Sequence, residues 1–163
     1  MTIRPVRDAD LGAILGFWNP LIRETTITFS SEEKTLSGLS AMIAARHAAG
    51  RAFLIGAADD GRVLGFASYD QFRAGNGYVH AMEHTVILAP EAHGRGLGRA
   101  LMTAIEEHAR MRGGHSMVAG VSGENAAGIA FHRALGYAHV GLLPQSGRKF
   151  GRWLDLVLMQ KML

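Results

Sequence analysis

The sequence predicts a mixed α/β (α+β) fold, one central sheet with helices packed on both faces. Three observations carry that expectation. Strand-like and helix-like segments alternate as β-α-α-β-β-β-α-β-α-β-β, which gives about seven strands and about four helices. The last strand, Trp153–Met162, is apolar on both faces, with Leu154, Leu156 and Leu158 on one and Val157 and Met159 on the other. That is the pattern of a strand interior to a sheet. A loop of alternating glycines, Gly94, Gly96 and Gly98, joins a strand ending at Leu88 to a helix beginning near Leu97. The 163 residues suit a single domain, 1–163, with one core.

Each element has a local cause. Ile3–Val6 reads as a short first strand. Asp8 and Asp10 are candidate N-caps for a helix through Arg23, along which Leu11, Ile14, Leu15, Trp18, Leu21 and Ile22 recur near helical spacing. Thr25–Ser30 is a polar, β-branched connection that contains Phe29. Ser31, followed by Glu32 and Glu33, is the expected cap of a second helix that runs to Ala49 and stops at Gly50. Phe53–Ala58 and Val63–Tyr69 flank the turn signal Asp59-Asp60-Gly61 and form a hairpin. Gln71–Gly77 is a polar loop carrying Phe72 and Arg73. Tyr78–Leu88 is the next strand, ended by Pro90. The helix Leu97–Arg112 presents Leu97, Ala100, Leu101, Ala104, Ile105 and Ala109 on one stripe and stops at Gly113-Gly114. Ser116–Val121 is a strand and Asn125–Leu135 a short helix capped by Gly136. The last strands, Ala138–Leu142 and Trp153–Met162, are joined by a basic loop, Pro144–Arg152.

Composition excludes several function classes. With 48% of residues apolar and 19% charged, the chain is a soluble globular one, not a disordered one. No apolar run approaches the ~20 residues of a membrane span. The start, MTIRPVRDAD, lacks the apolar core of a signal peptide. The expected location is therefore the cytoplasm, with no membrane partner. Cysteine is absent, which excludes disulfides and thiolate metal sites. No histidine spacing backed by carboxylates suggests a metal, so none is expected. The net charge is +3, without a Lys/Arg run interleaved by aromatics, so no nucleic-acid partner is expected. Such a surplus serves a small polyanion, such as a nucleotide-containing coenzyme, as readily as it decorates an ordinary surface.

The glycine loop is the most informative feature. A helix start leaves several N–H groups without partners and carries partial positive charge. Glycines let the main chain approach a phosphate closely and adopt positive φ, and Arg95 and Arg99 add full charges. Two common phosphate loops do not fit. A nucleoside-triphosphate loop ends in Gly-Lys-Ser/Thr, whereas this one ends Gly98-Arg99-Ala100. The dinucleotide fingerprint places a third glycine where Arg99 stands.

His93-Gly94-Arg95-Gly96-Leu97-Gly98 resembles the pyrophosphate loop of the GNAT superfamily of N-acetyltransferases, usually Arg/Gln-x-x-Gly-x-Gly/Ala. His93 replaces the usual first residue, which assigns the binding to N–H groups of Gly94–Arg99. Asn125 through Tyr137 resembles that superfamily's helix after the fifth strand, with Gly128 where Ser or Ala is usual. Phe72-Arg73, Glu83-His84-Thr85-Val86 and Pro144 through Asp155 are similar to the phosphinothricin acetyltransferase-like branch, whose members also acetylate methionine sulfone and methionine sulfoximine. The resemblance implies a GNAT fold: a mixed, mostly antiparallel sheet splayed between strands 4 and 5. It also implies acetyl-CoA as co-substrate, a small-molecule amine as acceptor and a homodimer. Other readings are a protein N-terminal or other small-amine acetyltransferase, and a non-catalytic CoA-binding module.

The resemblance also distributes roles. Glu83 is the expected base or electrostatic partner of the acceptor amine. Phe29, Phe72, Arg73, His84 and Thr85 are the expected acceptor-binding residues. Val86, Ile87, Leu88, the loop His93, Gly94, Arg95, Gly96, Leu97, Gly98, Arg99, and Asn125 are expected to hold the coenzyme. Asn125 is also an N-cap candidate. His132 stands where many GNAT enzymes carry a tyrosine that protonates the leaving thiolate. It reads equally as an exposed helical histidine, and Tyr137 is a weaker substitute.

Overall fold

The computed structural model describes all 163 residues, Met1–Leu163. Its strands are β1 (Thr2–Pro5), β2 (Phe53–Ala57), β3 (Val63–Gln71), β4 (Ala81–Leu88), β5 (Ser116–Ser122), β6 (Ala138–Lys149) and β7 (Arg152–Met162). Its helices are α1 (Leu11–Glu24), α2 (Leu36–Ala48), α3 (Leu97–Met111) and α4 (Ala126–Ala134). The strands form one sheet in the order β1-β2-β3-β4-β5-β7-β6. All neighbours are antiparallel except β4 and β5. This is the mixed, mostly antiparallel sheet of seven strands and four helices that the sequence implies.

Two cores, one on each face, follow from strand alternation. On one, Leu97, Leu101, Met102, Ile105 and Ala109 of α3 pack on Ala67, Tyr69, Met82, Met117, Val157 and Met159. On the other, Ile14, Phe17, Trp18 and Ile22 of α1 and Leu39 and Ile43 of α2 pack on Phe53, Ile55 and Phe66. β7 lies between β5 and β6, interior as expected, with Val157 and Met159 in the α3 core. The α3 stripe is as read, except that Ala100 is exposed. No helix is long and apolar enough to cross a membrane.

Four local expectations are corrected. α2 begins after Thr35, whose Oγ1 accepts from the Gly38 N–H at 3.0 Å, not after Ser31. Asn19 of α1 holds Lys34 extended by bonds to both its N–H and its C=O (2.8 and 3.0 Å), so the helix starts at the next available cap. β4 begins at Ala81, not Tyr78, because Asn76–Tyr78 forms a single 3-10 turn. The expected loop Pro144–Arg152 is mostly strand: Gly147, Arg148 and Lys149 pair with Leu154, Trp153 and Arg152 beyond an irregularity after Leu143. There the Gln145 N–H donates to the Asp155 carboxylate at 2.8 Å in place of a ladder partner.

Asp10 is the fourth case. It makes no side-chain cap for α1. Instead it takes two hydrogen bonds from the Arg4 guanidinium (2.7 and 2.8 Å) and one from the Arg7 N–H at 2.7 Å, tying β1 to α1. Those bonds, Arg4's first, hold its carboxyl below the usual range. The stabilisation is therefore complete above the ordinary aspartate pKa near ~3.9 and is lost as pH falls through the lower folded value. Asp10→Ala is expected to lose about 2–3 kcal/mol at pH 7. Urea midpoints should show the gap from wild type closing in strong acid, and equal stability at neutral pH would refute the tie.

Candidate active site

The sheet opens beside Glu83. β4 and β5 pair only at Ala81↔Ser116, Met82↔Met117 and Glu83↔Val118. Past that point β4 keeps only β3, while β5 stays with β7 as far as Ser122. The Ala89 N–H bonds to the Leu64 C=O, and the Phe72 N–H to the Ala81 C=O, so odd-numbered residues of β4 turn their main chain to β3. By alternation, the C=O of His84 and the N–H and C=O groups of Val86 and Leu88 face the opening, the His84 N–H being used in the last β4–β5 pairing. An extended arm can add to such an edge as a strand would. Ile87 turns its main chain to β3 and packs its side chain against the α1/α2 core.

The anion loop lies at the end of β4. Gly94 and Gly96 have φ of 72° and 80°, and Gly96 caps α3 in the left-handed region. The N–H groups of Gly94, Arg95, Gly96, Leu97, Gly98 and Arg99 donate to no acceptor within the chain. Six such donors at the positive end of a 15-residue helix define an anion seat. Gly98 serves a different purpose: a Cβ there would sit 3.1 Å from the Phe131 ring and 3.3 Å from Leu88. Its bareness lets α3 close on α4 and β4. His93 and Arg95 are exposed, and the Arg99 guanidinium reaches the Ala134 C=O at 3.3 Å.

Glu83 occupies the α1/α2 face at the mouth of the opening. Its neighbours across the gap are Val118 and Gly120, and a Cβ on Gly120 would stand 3.1 Å from Glu83 Oε1. An isolated glycine in a strand signals such a close approach, and Gly120 was readable on that ground. Glu83 is half-buried, its carboxylate takes no hydrogen bond, and desolvation raises its pKa. Asp70 stands opposite in the β3 ladder, but Arg46 and Arg51 engage its carboxylate. Burial, not a neighbouring charge, therefore sets the Glu83 shift. Thr85 and Gly120 are exposed on this face, leaving room beside the carboxylate.

His84 points the other way, into the α4 side, and does not share the face of Glu83 and Thr85. There it meets His132, which is buried and not exposed. The rings stack with centroids 5.0 Å apart, and their Nε2 atoms lie 3.1 Å apart. His132 Nδ1 lies 2.7 Å from the Gly128 C=O. Desolvation lowers both pKa values, that of His84 to about 3. Tyr137 packs its ring edge-on against both histidines. Gly136 (φ 91°) closes α4 with bonds from Gly136 N–H to Arg133 C=O and Tyr137 N–H to His132 C=O, and so lays Tyr137 on His132. The Tyr137 hydroxyl donates to Glu106 at 2.8 Å, and Lys161 donates to the other Glu106 oxygen at 2.5 Å. Tyr137 is thereby committed to a buried carboxylate.

The remaining expected residues are placed as follows. Asn125 caps α4, its Oδ1 accepting from the Gly128 N–H at 2.8 Å. A Cβ on residue 128 would stand 2.4 Å from Asn125 Nδ2, which explains glycine there. Phe29 lies against Gly147 of β6, where a Cβ would come within 2.3 Å of its ring. Beside it the buried Lys149 donates to the Thr28 C=O at 2.7 Å, clasping the α1–α2 connection to the β6–β7 hairpin. Phe72 and Arg73 lie in the β3–β4 connection, with the Arg73 guanidinium 5.6 Å from the centroid of the Tyr78 ring. No group of three or more His, Cys, Asp or Glu side chains is placed to hold a metal ion.

The sheet opened at its parallel pair thus has a six-donor anion seat at one end and an unpartnered carboxylate at its mouth. Residues 18–137 match the Acetyltransferase (GNAT) family. The chain is 40% identical over 159 residues to L-methionine sulfoximine/L-methionine sulfone acetyltransferase of Pseudomonas aeruginosa, covering 98% of this chain and 92% of that one. It superposes with TM-score 0.94 at 30% identity on a phosphinothricin acetyltransferase from Sinorhizobium meliloti in complex with acetyl-CoA, covering 99% and 88% of the two chains. It also superposes with TM-score 0.95 at 39% identity, over 100% of both chains, on ribosomal-protein-alanine N-acetyltransferase from Brucella melitensis. The chain belongs to the GNAT family and is an acetyl-CoA-dependent N-acetyltransferase.

Proposed function

We propose that this enzyme acetylates the α-amine of a small amino-acid analogue of the methionine sulfone, methionine sulfoximine or phosphinothricin type. The observation that carries this reading is the half-buried, unpartnered Glu83 carboxylate at the mouth of the β4–β5 opening. The Pseudomonas aeruginosa relative supports the acceptor class.

Acetyl-CoA seats its pyrophosphate on the N–H groups of Gly94–Arg99. Its pantetheine arm adds to the β4 edge at Val86 and Leu88, with Asn125 nearby on α4. An α-amine near pKa ~8 stands about 5 kcal/mol above an ordinary glutamate near ~4.3 for direct proton transfer. Burial of Glu83 narrows that gap, and a water relay carries the proton. The neutral amine attacks the thioester carbonyl, forming the N–C bond. A β4 N–H facing the opening meets the tetrahedral oxyanion. The C–S bond then breaks, and the thiolate takes a proton on the α4 side, with His132 as the assigned donor. Arg73 grips the acceptor's carboxylate or sulfone oxygens, and Phe29, Phe72 and Thr85 wall its chamber.

The whole chain, 1–163, acts as one domain in the cytoplasm, in a detoxifying role. A homodimer is supported by Val140, Leu142, Leu143, Phe150 and Trp153, all exposed on the β6–β7 hairpin. The Brucella melitensis neighbour favours a second reading, acetylation of a protein N-terminus. A thiol-release assay with acetyl-CoA separates the two. Methionine sulfone and sulfoximine are expected to be turned over fastest, followed by phosphinothricin, with polyamines and short peptides near background. Higher kcat/KM on alanine-initiated peptides would replace the first reading by the second.

A further inference from the structure

The buried His84–His132 contact has a direction that the atoms dictate. A carbonyl only accepts, so the 2.7 Å contact to the Gly128 C=O places a proton on His132 Nδ1. In the neutral ring, His132 Nε2 is then bare and can only accept. The 3.1 Å contact between the two Nε2 atoms therefore requires the proton on His84 Nε2. That leaves His84 Nδ1 as a bare lone pair. It is buried and has no hydrogen-bond partner, a rare condition for an interior polar atom. Both nitrogens of His132 are occupied, so the resting ring has no spare proton to give.

We infer that His84 is a positioning residue for His132: it fixes the resting tautomer and, by turning from donor to acceptor at Nε2, supports the charged His132 ring. This inference rests on the reading that His132 serves the departing thiolate. The step balances within the two rings. When the pair gains a proton, it ends on His84 Nδ1, the one nitrogen still bare; that atom is buried, so the packing around it must open to admit the proton. The His84 Nε2–H bond breaks as a His132 Nε2–H bond forms, and the hydrogen bond between the rings persists with its direction reversed. His84 ends neutral and His132 ends as the imidazolium.

Burial disfavours a charge on either ring, but of the two the surroundings favour it on His132. It lies in the last turn of α4, where the helix dipole stabilises a cation, and the Gly128 carbonyl and Glu106 carboxylate both act toward its protonated form. His84 has no such partner and feels repulsion from His132. Of the other groups around the pair, Tyr137 donates to Glu106, Lys161 of β7 pairs with the same carboxylate, and Arg99 of α3 bonds the Ala134 carbonyl. Glu83 lies on the opposite face of β4.

The test uses the full-length protein labelled with 15N-histidine, with variants His84→Gln and His84→Phe. Wild type should show His132 protonated at Nδ1 and His84 at Nε2 at neutral pH. A proton on His84 Nδ1 at rest overturns the proposal. His84→Phe removes the acceptor for the charged His132, so the His132 titration and the alkaline limb of kcat should both move down by about one pH unit. His84→Gln, whose amide can donate or accept, should keep both near wild type. If both variants fold but the His132 titration is unmoved in His84→Phe, the positioning role is wrong. The reading it rests on fails separately: His132→Gln acetylating at the wild-type rate would remove His132 from the reaction while leaving the tautomer result intact.

Discussion

Glu83→Gln is expected to lower kcat for methionine sulfone by 10²- to 10⁴-fold, the usual loss when a positioned general base is removed. The KM for acetyl-CoA should change little, because the anion seat and the β4 edge use main-chain groups that the substitution leaves alone. The amide is isosteric, and the side chain makes no hydrogen bond in the fold, so the melting temperature should hold or rise slightly once a desolvated charge is gone. The pH profile provides a second check. The base works only when ionised, and burial places its pKa above the ordinary glutamate value. Wild-type kcat/KM should therefore fall on the acid side at a pH above the usual carboxylate range, and that limb should vanish in the glutamine variant. Gly120→Ala is a milder probe of the same carboxylate, since the new methyl would stand 3.1 Å from Oε1 and push it off its present position. A Glu83→Gln enzyme with wild-type turnover and an unchanged acid limb would falsify the base assignment.

The second large effect is expected at the anion seat. Gly94→Ala combined with Gly96→Ala places Cβ atoms at φ of 72° and 80°. Left-handed backbone costs an L-residue about 1–2 kcal/mol at each position. If the loop relaxes to avoid that strain, its N–H groups no longer converge. The KM for acetyl-CoA should then rise at least ~10-fold, the equivalent of about 1.4 kcal/mol, with kcat at saturating coenzyme largely kept. Arg95→Ala removes an exposed charge but no main-chain donor, and a much smaller change is expected. Gly98→Leu acts by another route: the side chain must displace Phe131 or Leu88, so α3 and α4 separate and both stability and coenzyme affinity fall. Isothermal titration with CoA distinguishes these cases. If Arg95→Ala weakened binding more than the double glycine variant, side-chain charge and not the main chain would hold the pyrophosphate.

What the sequence reveals and what it hides divide along a physical line. The geometry of the glycine loop is legible because it lies in consecutive backbone groups, and Gly94, Gly96 and Gly98 write it directly into the chain. The interior position of β7 is legible for a similar reason, since both faces of Trp153–Met162 are apolar. The start of α2 is not, because Lys34 is held extended by Asn19, fifteen residues earlier, and no local propensity records that bond. β6 extends past Pro144 and Gly147 because its partner strand and Asp155 supply what those residues cannot. The burial of His132 depends on His84, forty-eight residues away, and on Tyr137 being laid across it by the α4 terminus. In the sequence His132 shows only helical spacing, which fits a surface position equally well. Glu83 lies between these cases. A carboxylate inside a strand is conspicuous, but its desolvation comes from tertiary packing.

Glu83 and His84 are chain neighbours whose side chains leave β4 on opposite sides. On the proposed mechanism, the groups that meet an incoming amine and those that handle the departing coenzyme share a stretch of backbone and no side chain. On that reading, replacements around Phe29, Phe72 and Thr85 would reshape the proposed acceptor chamber without crossing the sheet to the histidine pair. Such an arrangement lets a lineage exchange one amine for another by small steps while acetyl-CoA use stays intact, and it makes that surface the natural target for a directed-evolution library.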